Sequence, residues 1–166
     1  MTSPTAGPVT GGPFRARFVD QTMFGTDFTQ PDIGDCMRAC VASLLAIPLS
    51  DVPNFWDLVP SDQDPALGYG PQIIAWARSR GWTRLHIDAE NVTDWMRAFG
   101  CPGTLAIIGG RSPRATEDRA TTHAVVGQWT GVGWTLVHDP HPDGGGLVGD
   151  PTTVSLFVPF DPSRFV

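Results

Sequence analysis

The sequence contains no lysine. All 11 basic residues are arginine, set against 17 Asp and Glu, and the net charge is −6. No basic run is present, which argues against a sequence-independent grip on nucleic acid through phosphate neutralisation. The same reasoning speaks against an anionic membrane surface. Nor is there any stretch near the ~18 consecutive apolar residues that read as a bilayer span. The opening MTSPTAGPVTGGP lacks the basic and apolar regions of a signal peptide. A cytoplasmic protein is therefore expected. Cysteine is scarce: Cys36, Cys40 and Cys101 are the only three. An odd count without a secretion signal does not describe a disulfide framework.

What is present is apolar and turn-rich. Of 166 residues 41 % are hydrophobic, with nine Phe and six Trp, so wholesale disorder is excluded and one domain is expected. Nineteen Gly and 16 Pro predict many turns and long loops. Residues 1–12 have almost nothing to bury and read as a disordered tail ahead of a single domain over 13–166.

Residues 14–19 alternate Phe14, Ala16 and Phe18 with Arg15, Arg17 and Val19, the pattern of a short edge strand. A helix is predicted over 36–45, N-capped by Asp35 and ended by Pro48. Residues 47–69 read as an irregular connection with one helical turn. A second helix is predicted over 71–80, with Pro71 at its first position and Gly81 as its stop. Strand 82–87, a third helix over 92–99 capped by Asn91 and stopped by Gly100, and a buried strand over 104–108 follow. Residues 109–120 read as a polar loop, with Gly109 and Gly110 as candidate hinges. The segments 123–129 and 134–137 form the best hairpin signal. A glycine-rich loop and a last strand over 154–159 close the chain. Helices early and strands late predict an α+β fold, with helices packed on an antiparallel sheet.

Cys36 falls at the start of the first helix, where unpaired N–H groups and the helix dipole favour a thiolate. Cys40, one turn on, points into packing. His123 begins a strand, Asp139 ends its partner strand, and Gln21 lies upstream of the cysteine. A nucleophilic thiol needs a base, the base needs an orienting acceptor, and a nearby amide helps hold an oxyanion. If the hairpin turn holds an odd number of residues, His123 lies opposite Asp139; if even, His123 shares its face with His138. The relay therefore requires an odd turn or a compensating bulge. A zinc site from Cys36, Cys40, His123 and His138 or His141 lacks a recognisable ligand spacing, so no metal or cofactor is expected.

The stretches Gly34-Asp-Cys-Met-Arg-Ala-Cys40, Ala42-Ser-Leu-Leu45, Thr122-His-Ala-Val-Val-Gly127 and Leu136-Val-His-Asp-Pro140 resemble the papain-like cysteine peptidases. The similarity is greatest to the branch that removes double-glycine leader peptides from bacteriocin precursors, and extends to related bacterial and phage proteins. It covers about residues 18–48 and 104–160. The resemblance implies a papain-like fold with Cys36 as nucleophile, His123 as base, Asp139 as orienting residue and Gln21 as oxyanion donor. Gln21 stands fifteen residues before Cys36, whereas Gln30 stands at the family's six-residue spacing. Gln21 is preferred because it follows the predicted first strand. The expected activity is hydrolysis of an amide, peptide or thioester bond in a peptide or protein substrate. Acyl transfer by the same relay, and a non-catalytic binding module that keeps the fold, are the alternatives.

Overall fold

The computed structural model describes residues 16–25, 34–64, 67–117 and 121–160. The expected tail at 1–12 and Gln30 lie outside them. In chain order the elements are helix α1 (Cys36–Leu45), two 3₁₀ turns (Leu49–Asp51 and Phe55–Leu58), helix α2 (Gly70–Ser79), strand β1 (Trp82–Asp88) and helix α3 (Ala89–Phe99). Strands β2 (Leu105–Arg111), β3 (Thr122–Trp129), β4 (Trp134–His138) and β5 (Val148–Pro159) complete it. The strands form one antiparallel sheet in the order β1-β5-β2-β3-β4. The fold is α+β. No single helix among the described residues is long and apolar enough to cross a membrane.

Alternation along the strands sends side chains to two separate cores. Ile107, Ala124 and Val126 meet Cys40, Val41 and Ala42 of α1, together with Val52, Phe55 and Ile73. On the opposite face Ala106, Ile108, Val125, Trp129 and Val154 pack against Ala89, Val92 and Met96 of α3. Helix α1 approaches β2 and β3 closely because Ala39 and Ala42 are small and fully buried. Its one buried polar side chain, Ser43, is satisfied: Oγ donates to Ala39 O at 2.8 Å and accepts from Val19 N at 2.9 Å.

That serine explains the first departure from expectation. Residues 16–19 do not form an edge strand. Arg17 N donates to Ser43 O, Val19 binds the Ser43 hydroxyl, and Phe18 stacks on His138, so the segment is laid over the end of α1. Helix α3 begins at Ala89 after Asp88, ahead of the expected Asn91 cap. Strand β5 starts at Val148, well before residue 154, because it pairs with both β1 and β2. Gly109 and Gly110 are strand residues and not hinges. A Cβ at Gly109 would stand 2.6 Å from Thr153 Oγ1, so a larger residue there would have to displace that hydroxyl.

Candidate active site

Cys36, His123 and Asp139 come together at one end of the sheet. His123 Nε2 lies 2.7 Å from Asp139 Oδ1, both side chains are almost wholly buried, and His123 and Cys36 line the same cleft, near enough for the thiol to raise the His123 pKa. The hairpin turn has an even number of residues: Trp129 pairs with Trp134 across residues 130–133. An odd turn is thus not what joins His123 to Asp139. The register shifts instead, Gly127 facing Leu136 and Val126 facing His138, which leaves Val137 as the extra residue of a bulge. Asp139 follows directly after the end of β4, and its carboxylate meets His123.

Asp139 is fixed from three directions. Besides His123, Oδ1 accepts from His141 N at 2.9 Å and Oδ2 accepts from Gly146 N at 2.8 Å. The loop returns to deliver Gly146 through three consecutive left-handed glycines, with φ of 65°, 104° and 63° at Gly144, Gly145 and Gly146. Burial alone would raise the Asp139 pKa, but His123 and these two amides bring it down to about 2. Burial would likewise lower that of His123, and the hydrogen bond to Asp139 and the nearby Cys36 thiol lift it to about 9. An ionised Asp139 can only accept, so the Nε2 proton lies on the Asp139 side and Nδ1 faces the thiol.

Gln21 lines the same cleft as Cys36 and His123 and is 6 % exposed. Its Nε2 donates to Met23 O at 2.7 Å; since a carbonyl cannot donate, this contact fixes the amide orientation. A second N–H on Nε2 remains for a ligand, while Oε1 is buried without a partner among the described residues. The backbone of Gln21 is tied to Pro140 O at 2.9 Å, the residue after Asp139.

The residue beside the thiol, expected to cap the helix, has a different role. Asp35 occupies the N-cap position but makes no side-chain cap bond. Oδ1 accepts from Thr22 N and Met23 N, both at 2.9 Å, and Oδ2 accepts from Thr22 Oγ1 at 3.0 Å. Asp35 therefore fastens the Gln21 segment to the start of α1. Cys40 is buried and its thiol donates to Ala124 O at 3.4 Å; burial pushes its pKa up. His138 takes a different task, with Nε2 2.9 Å from Val19 O. No group of three metal-ligating side chains is found among the described residues.

The cleft has a volume of about 600 Å³. Ser112, Arg114 and Thr121 on one loop and His141 on the other flank it, and Trp56, Tyr69, Arg84 and His86 form its far side. Arg84 and His86 escaped the sequence reading. The only signal was a pair of polar residues two apart on one face of β1, among Leu85 and Ile87.

Compared with protein-family models, with curated proteins and with solved structures, the chain matches none.

Proposed function

We propose that this protein is a cysteine hydrolase of papain-like fold that cleaves an amide, peptide or thioester bond. One observation carries the reading: a buried imidazole held at 2.7 Å by Asp139 with its other face on Cys36, at a helix start that opens into a cleft. The Cys36 sulfur attacks the substrate carbonyl and forms a carbon–sulfur bond. Gln21 Nε2 and the Cys36 backbone N–H are the donors for the resulting oxyanion. As the carbon–nitrogen bond breaks, His123 gives its Nδ1 proton to the leaving amine. His123 then takes a proton from water, and hydroxide releases the acyl group from sulfur. An ionised Asp139 stabilises the imidazolium throughout and fixes its tautomer.

The test is electrophile labelling with mass spectrometric mapping, alongside turnover assays on peptide and thioester libraries. Cys36 is expected to label far faster than Cys40 or Cys101. Cys36→Ala and His123→Ala should abolish turnover while melting cooperatively. Equal labelling of the three thiols at pH 6 would overturn the reading.

A further inference from the structure

Arg84 is 8 % exposed, yet no carboxylate lies within ion-pair distance of it among the described residues. Guanidinium is permanently charged, and burying it unpaired is costly. What it does have is a rigid seat. Nε and Nη2 donate to Ser155 Oγ at 3.2 and 3.0 Å, and Nη2 donates to His86 Nδ1 at 3.1 Å. Ser155 Oγ in turn donates to His86 Nδ1 at 2.8 Å, so the imidazole proton sits on Nε2. The register of β1 on β5 sets this up, placing His86 opposite Ser155. Nη1 makes no hydrogen bond among the described residues, and Arg84 lines the cleft.

The charge of the cleft points the same way. The chain carries −6 overall, but no Asp or Glu is among the described residues that line this cleft. Its ionisable side chains include Arg84, Arg114 and His123, while burial lowers the pKa of His86 and His141 and disfavours their charged forms. Arg114 is held toward the loop, Nη1 donating to Gly144 O at 3.1 Å. A cationic cleft in an acidic protein raises the local concentration of an anionic ligand.

We propose that Arg84 forms an anion subsite of the cleft, which takes a carboxylate borne by the substrate. The inference rests on Cys36 as the acylated group. A fork with one free nitrogen suits a monoanion, and the Ser155–His86 seat holds it oriented before the ligand arrives.

The experiment uses maleimido-alkanoic acids of increasing tether length, each paired with its primary amide, on the whole protein. The rate of Cys36 modification is followed by mass spectrometry and compared with a small free thiol. The His123 imidazolium attracts any anion, but that attraction falls steadily as the tether lengthens. A subsite instead gives an acid-to-amide ratio that peaks at one length, at about tenfold or more. Arg84→Gln should flatten the peak, and Arg84→Lys should restore it only in part. A ratio that declines steadily with length, or a peak unchanged in Arg84→Gln, overturns the subsite and leaves the nucleophile standing. The wild-type series decides the matter even if the variants fold poorly. If Cys36 reacts no faster than the free thiol with either probe, the nucleophile falls and the subsite with it.

Discussion

Both oxygens of Asp139 are engaged, and this sets what each substitution does. Asn keeps one carbonyl oxygen, which can still serve His123 and His141. Its Nδ2 then faces the Gly146 N–H, donor against donor. Asp139→Asn should therefore retain part of kcat/KM but lose about 1–3 kcal/mol of stability, the cost of a buried group left unpaired. Asp139→Ala should lose roughly 10²–10⁴-fold in kcat/KM, the range for a disabled general base. The pair also dictates a pH window. His123 has its pKa raised from 6.5 to about 9, so its contribution is complete below 6.5 and fades as pH rises through 9. Asp139 is lowered from 3.8 to about 2, so its share is complete above 3.8 and fades as pH falls through 2. The difference in Tm between wild type and Asp139→Asn should be largest between those limits, near pH 4 to 6.5, and shrink on both sides. The relay residues were legible because a thiol at a helix start and a His–Asp pair across a hairpin are distinctive chemistry. Arg84 was not, since its meaning depends on Ser155, a partner on the neighbouring strand but 71 residues away in sequence.

Helix α1 was readable to its ends, because an acidic residue precedes it, small and apolar residues repeat at helical spacing, and a proline follows. Strand boundaries fared worse. The start of β5 depends on two neighbouring strands, which no local pattern reveals, and the alternation was overridden by Ser43 at 16–19, residues 14 and 15 lying outside the described residues. The bulge at Val137 was equally hidden, although the need for some such device could be derived from parity. Asp35 shows how local and tertiary roles compete: the best capping residue in the chain takes three donors from the Gln21 segment instead. Asp35→Ala should leave the far-UV helix signal intact, lower Tm by the equivalent of about 1–3 kcal/mol, and reduce kcat more than it raises KM. A loss of helix signal would mean that the side chain caps α1 after all.

Across the whole molecule, the site is a meeting of four chain segments that fasten one another. Gln21 is bound to Pro140, Met23 to Asp35, and His123 to Asp139. Each tie joins a residue of the site, or its immediate neighbour, to a different part of the fold. The antiparallel sheet supplies the platform, with one core on each face, and the loops at its end carry residues of the candidate site. The glycine triplet at 144–146 has a consequence in the time domain. A loop of that composition ordinarily trades its amide hydrogens for deuterium quickly. Here the amides of His141 and Gly146 are held on the Asp139 carboxylate, whereas those of Asp143 and Gly144 are held on His141. Residue-resolved exchange should then show His141 and Gly146 slow, and both speeding up in Asp139→Ala. The loop thus acts as an isotopic clock for the carboxylate behind His123.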